Sequence, residues 1–142
     1  MPIQWRKEMS VGNIILDLDH RYLISLINLI EAYLRDPEQT GMVVDTLNQL
    51  ESYAKEHFQR EERIQFAIKY SGYLEHKLSH QNLLSRLEEV MQEVESSLPE
   101  SAQAINADAV AGLLRHWLID HILKEDRQML PHLRLHPQNL LA

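Results

Sequence analysis

The stretch LESYAKEHFQREERI, residues 50–64, decides the fold and carries the first sign of chemistry. Leu50, Ala54, His57, Glu61 and Ile64 recur at three- and four-residue steps, the period of one face of an α-helix. Extended in both directions the series gains Leu47 and Ile68, so a helix is expected from about Met42 to Lys69. Thr40-Gly41 and Ser71-Gly72 punctuate its two ends. Its inner face should be apolar, yet His57 and Glu61 stand on it side by side. Burying one unpaired charge costs several kcal/mol, comparable with the whole stability of a small domain. Something must pair with them.

The remaining chain repeats this anomaly. A first helix from about Asp19 to Arg35 presents Leu23, Ile24, Ile27, Ile30 and Leu34, with His20 as the preceding member of the series. It is expected to end before Pro37. A third, from about Gly72 to Ser97, carries His76, His80, Leu83, Leu87, Val90 and Val94 on one stripe. Pro99 to Asn106 reads as a polar connection, with Asn106 or Asp108 capping a fourth helix. That helix shows Val110, Leu113, Leu114, Trp117, Leu118, His121 and Ile122 and is expected to stop before Pro131. Four long helices with short links predict an all-α, up-down-up-down antiparallel four-helix bundle. Residues 1–17 form an irregular N-terminal arm, with Trp5, Val11, Ile14 and Ile15 available for packing. The bundle domain is expected over residues 1–130. Residues 131–142 form a short C-terminal tail, either without structure or a short helix using Leu133, Leu135, Leu140 and Leu141.

Composition narrows the function classes. The 142 residues suffice for one domain with its own core. A net charge of −7 without a basic stripe argues against a nucleic-acid partner. No cysteine is present, which removes disulfides, thiolate metal sites and cysteine nucleophiles together. The N-terminus lacks the apolar run of a signal peptide, and the stretch Leu23 to Leu34 is too short to span a bilayer. No membrane insertion and a cytoplasmic location are expected.

His20, His57, Glu61, His76, His80, His121 and Asp126 are therefore candidate metal ligands. The pairs 57/61 and 76/80 are one helical turn apart, close enough to share an ion or bridge two. Five imidazoles and two carboxylates are too many for one ion and suit two. Mixed nitrogen and oxygen donors without thiolate fit iron, manganese or zinc, and ligand chemistry alone leaves the three open. His121 and Asp126 are five apart, roughly 140° around a straight helix, so regular geometry favours Glu125 instead. If Asp126 is the ligand, the helix should widen locally between the two, for instance by a π-bulge.

The pattern Trp5…Val11-Gly12…Asp17-x-Asp19-His20, then His57-Phe58-x-x-Glu61-Glu62, His76-x-x-x-His80 and Trp117-Leu118-x-x-His121-x-x-x-x-Asp126 resembles bacterial hemerythrin from Trp5 to about Asp126. The resemblance implies a non-haem di-iron centre that binds dioxygen reversibly as the pair passes between ferrous and ferric states. His76, His80 and His121 would complete one iron, and His20 and His57 would hold the other with a position left open. Glu61 and Asp126 would bridge both, beside an oxo or hydroxo group. Phe58, Trp117, Leu118 and Ile122 flank ligands at near-helical spacing and should line the oxygen pocket with apolar surface.

The leading expectation is oxygen storage, delivery or scavenging by a monomer or weak oligomer. A sensory module reporting oxygen or redox state to a signalling partner protein is the alternative. An enzymatic role ranks lower because no separate acid-base constellation is visible, and a structural zinc bundle is the remaining case. His116, His132 and His136 fall outside the pattern and read as surface. Glu62 and Glu125 neighbour the proposed bridges and read as exposed or as supports for ligands.

Overall fold

In a computed structural model of the chain, residues 2–97 and 106–141 are described. The connection expected over Pro99–Asn106 lies outside them except for its last residue. A short 3₁₀ turn, Lys7–Met9, precedes three long helices, α1 (Ile14–Arg35), α2 (Gly41–Ala67) and α3 (Tyr73–Ser97). A fourth arm follows in pieces: α4 (Ala107–Arg115), a π turn (His116–Asp120), α5 (His121–Lys124), a 3₁₀ turn (Asp126–Met129) and α6 (Leu130–Leu133). α1 packs on α2 and α4, and α2 on α3, as in an antiparallel four-helix bundle. No strand occurs among the described residues.

The main apolar core is built from the periodic series. Leu23, Ile27 and Ile30 of α1 meet Leu47, Leu50 and Ala54 of α2, Leu87 and Val94 of α3, and Leu114 and Leu118 of the fourth arm. A smaller cluster joins Val11, Leu16, Ile64, Tyr70, Met129 and Leu133. The polar residues of the expected site are all buried, and each lies on an element that carries one of these apolar stripes.

α1 starts five residues earlier than the periodicity predicts. Asn13 caps it, its side-chain oxygen accepting from the Ile15 and Leu16 amides at 3.0 and 3.1 Å, which satisfies two of the free N–H groups of the first turn. Asp17 then reaches back to the arm, accepting from the Ser10 hydroxyl at 2.6 Å and the Val11 amide at 2.9 Å. Gly12 is required here. Its φ is +81°, and a Cβ would stand 2.9 Å from Leu130 Cδ1.

α2 closes with the Tyr70 amide donating to the Gln65 carbonyl at 2.9 Å and the Lys69 amide to the Phe66 carbonyl at 3.2 Å. This is a Schellman ending whose left-handed position, φ 55°, is filled by Lys69 rather than glycine. Lys69→Gly is expected to raise the unfolding free energy by about 1 kcal/mol, read as a higher urea midpoint.

The fourth arm departs from a single helix in two ways. Pro131 does not stop it but stands in the first turn of α6, where its missing N–H costs nothing. Past α6 the chain folds back on the arm, the Ile14 amide donating to the Gln138 carbonyl at 2.8 Å. Of the four leucines proposed for a tail helix, Leu133 is buried and Leu140 packs on the smaller cluster, whereas Leu135 and Leu141 are exposed.

Candidate metal centre

Each inward side chain has a local reason for its place. His20 continues the α1 stripe one turn beyond Leu16, and His57 and Glu61 continue that of α2 from Leu50 and Ala54. His76 and His80 occupy the first two turns of α3, ahead of Leu83 and Leu87. His121 opens α5 and Asp126 the 3₁₀ turn after it.

The expected widening between His121 and Asp126 is displaced. The π turn lies upstream of His121, at His116–Asp120. From His121 the helix instead runs for four residues and breaks at Glu125, whose ψ of −51° is helical but whose φ has opened to −106°. The chain then tightens into the 3₁₀ turn. The break turns Asp126 inward and leaves the Glu125 side chain 42% exposed. A five-residue separation thus reaches the centre through a kink.

The seven residues converge into two overlapping donor sets. Glu61, His76, His80, His121 and Asp126 each place one donor atom within 4.8 Å of the others, and so do His20, His57, Glu61 and Asp126. Glu61 and Asp126 belong to both. Glu61 lies 2.7 Å from His76 Nε2, 3.1 Å from His80 Nε2 and 3.3 Å from His57 Nε2. Asp126 lies 2.8, 2.9 and 3.1 Å from the Nε2 atoms of His76, His121 and His20.

Hydrogen bonding does not account for this assembly. His20 Nε2, His57 Nε2, His121 Nε2, Glu61 Oε2 and Asp126 Oδ2 are buried without a hydrogen-bond partner among the described residues. Close approach with poor hydrogen-bond angles means that charge alone connects these atoms, an expensive arrangement in a dry core. Cations at the shared position would satisfy all five. The donor set fits the group it was expected to hold.

The outer edges of the rings are, by contrast, well satisfied. His57 Nδ1 donates to Asp19 at 2.9 Å, His80 Nδ1 to Glu62 at 2.8 Å and His121 Nδ1 to Glu125 at 2.5 Å. Ser79 steadies Glu125 through a 2.8 Å hydrogen bond. Carboxylates on the outer nitrogen fix tautomer and orientation so that Nε2 points inward with its lone pair. Sequence reasoning anticipated Glu62 and Glu125 as neighbours of the bridges but missed Asp19, Tyr53 and Arg60. A signal existed: Tyr53, His57 and Arg60 repeat at i, i+4 and i+7 on α2.

Electrostatics follow the same geometry. Burial acts to lower the His20 and His76 pKa values, but the facing Asp126 and Glu61 carboxylates carry both up to about 9. His121 goes to about 10, burial being outweighed by the Asp126 charge and the hydrogen bond to Glu125. Burial would raise Glu61, yet the surrounding imidazoles hold it well below the usual carboxylate range. Without metal the centre is a knot of imidazolium and carboxylate.

Such a centre, on four elements of a helical bundle, matches a described family over most of the chain. A model of the hemerythrin HHE cation binding domain covers residues 11–133. The chain belongs to the hemerythrin family. Among its relatives, a bacteriohemerythrin of Clostridium acetobutylicum is 26% identical over 128 residues, covering 87% of this chain and 95% of that protein. Bacteriohemerythrins of Pseudomonas paraeruginosa and Pseudomonas aeruginosa are 25% and 26% identical, each covering 86% of this chain and 75% of the relative. The matched span of this hemerythrin-family chain contains all seven residues of the two donor sets.

The expected pocket residues are also buried. Phe58 stacks on His80, ring centroids 4.0 Å apart and planes within 10°, and lies 5.7 Å from the His57 ring. The Trp117 indole donates to the Leu83 carbonyl at 2.8 Å. Leu118 and Ile122 sit in the main core. His116 is surface, its side chain 70% exposed. Among the described residues no helix is long and apolar enough to cross a membrane.

Proposed function

We propose that this hemerythrin-family chain binds dioxygen reversibly at a non-haem di-iron centre, serving in oxygen storage, delivery or scavenging rather than as an enzyme. One observation carries the reading: two donor sets of unequal size share a pair of carboxylates. His76, His80 and His121 with Glu61 and Asp126 would hold one iron with five donors. His20 and His57 with the same carboxylates would hold the second with four, leaving room for a small exogenous ligand. An open position is what separates a reactive metal site from a structural one. The iron pair, when bound, supplies reversible two-electron chemistry.

The chain's own residues supply the setting. Glu61 and Asp126, which belong to both donor sets, would hold both ions and cancel part of their charge. Five imidazoles against two carboxylates leave the pair less neutralised than a carboxylate-rich set would, which disfavours high oxidation states. Phe58, Trp117, Leu118 and Ile122 would exclude water around the ligand position, and their burial supports that role.

Iron content and an optical spectrum test the proposal directly. The reading expects two irons per chain and a visible charge-transfer band in air that bleaches under nitrogen and returns on re-aeration. A reduced, iron-replete protein that takes up no oxygen would refute it.

A further inference from the structure

Three carboxylates support ligand imidazoles from outside, and one differs from the other two. Glu62 and Glu125 have side chains 17% and 42% exposed. The Asp19 side chain is 5% exposed and accepts four hydrogen bonds. Beside that from His57 Nδ1 at 2.9 Å to Oδ2, Arg60 Nε donates to Oδ2 and Nη2 to Oδ1, both at 2.9 Å. The Tyr53 hydroxyl donates to Oδ1 at 2.6 Å. The Arg60 guanidinium also lies over the Tyr53 ring, 5.3 Å from its centroid. A buried carboxylate is tolerable here because the guanidinium forks onto both of its oxygens.

The four-donor set has no other outer support. His20 Nδ1 is buried and has no hydrogen-bond partner among the described residues. The five-donor set has two supporting carboxylates, on His80 and His121. All outer hydrogen bonding to the imidazoles of the four-donor set therefore passes through one aspartate. Arg60 in turn is 27% exposed and borders a surface cavity with Ile15, Arg63, Ile64 and Leu141.

We propose that Asp19, clamped by Arg60 and Tyr53, is the positioning residue of the two-histidine metal site, and that it sets the hold of that site on its ion without touching the ion. The proposal rests on the two-metal reading above. Asp19 keeps the His57 proton on Nδ1 and aims Nε2 at the shared carboxylates. Arg60 holds both Asp19 oxygens in place through its fork, and Tyr53 adds a second donor to Oδ1. Loss of the clamp should loosen one ion of the pair and spare the other.

Stepwise ferrous binding by the full chain, under anaerobic competition with a ferrous-selective chelator, tests this. Wild type is expected to hold two equivalents. Asp19→Asn and Arg60→Gln should weaken the second equivalent by about 10–100-fold, the usual consequence of losing an outer-shell partner, while the first stays close to wild type. Arg60→Lys should recover part of the loss, since an ammonium keeps the charge but not the fork. Tyr53→Phe, which removes one hydroxyl from a position α2 already packs, should show the smallest effect. The ratio of the two affinities reads positioning apart from general stability, because a merely structural role would weaken both equivalents together. Equal weakening of both, or an unchanged second equivalent in Asp19→Asn and Arg60→Gln, would overturn the proposal. A wild-type chain that holds fewer than two equivalents would instead remove the two-metal reading, and this proposal with it.

Discussion

Glu61→Ala is expected to lose both metals, with content falling from two per chain towards none. Glu61 is fully buried, and its two oxygens face His20, His57, His76 and His80, drawn from three different helices. No other residue except Asp126 belongs to both donor sets. Removing it takes one donor from each ion and the anionic link between them. It also leaves imidazoles buried without their main acceptor, a change that costs roughly 3–5 kcal/mol when one partner of a buried pair is deleted. The metal-free variant should therefore unfold at lower urea than metal-free wild type. Metal analysis and urea titration check the two halves separately. Asp126→Ala should behave alike. Glu125→Ala should be milder, about 10–100-fold in affinity, because it acts only by releasing His121. Retention of two tightly bound ions by Glu61→Ala would end the shared-carboxylate account.

The second large effect concerns pH and has opposite signs with and without metal. In the metal-free chain His20 and His76 have pKa values of about 9 and His121 about 10, against an ordinary 6.5. A group whose pKa is higher folded than unfolded adds stability that is complete below the unfolded value and vanishes as pH climbs through the folded one. Metal-free protein should thus lose several kcal/mol between about pH 6.5 and pH 10. Glu61 and Asp126 are held low by their imidazole neighbours, and Glu125 is lowered to about 2 chiefly by His121. Their contribution is present above the ordinary carboxylate range and is lost as pH falls through the depressed values, so mildly acidic solution should not unfold the chain. A cation must displace the imidazolium protons, so metal affinity should rise over the same interval in which the metal-free fold weakens. Urea melts at about pH 6 and about pH 10, with and without chelator, would reveal the crossing. Metal-free stability independent of pH over that range would show that the imidazoles are neutral before metal arrives.

Much of the bundle was readable because burial on a helix is periodic. His20, His57, Glu61, His76, His80 and His121 stood out as polar residues that keep step with apolar neighbours. Asp126 did not keep step, and the straight-helix argument favoured Glu125. The kink at Glu125 that reconciles them depends on how the fourth arm meets the other three, which no local period records. Asp19 stands in the Asp17-x-Asp19-His20 pattern, but its partners Arg60 and Tyr53 come from another helix and meet it only after packing. The early start of α1 and the docking of the segment after Pro131 share that origin. Asn13 and Leu140 are far apart in sequence, and the 3.4 Å contact from the Asn13 amide to the Leu140 carbonyl exists only in the folded chain.

That contact, with the bond from Ile14 to Gln138, means that the last described residues lie against the start of α1. The seam is anchored on Val11 and Leu133, which enclose Met129, three residues beyond Asp126. A polypeptide attached after residue 141 would emerge beside the start of α1, so mechanical load on it would be felt there. An outside attachment there would act within a few residues of Asp126, a member of both donor sets.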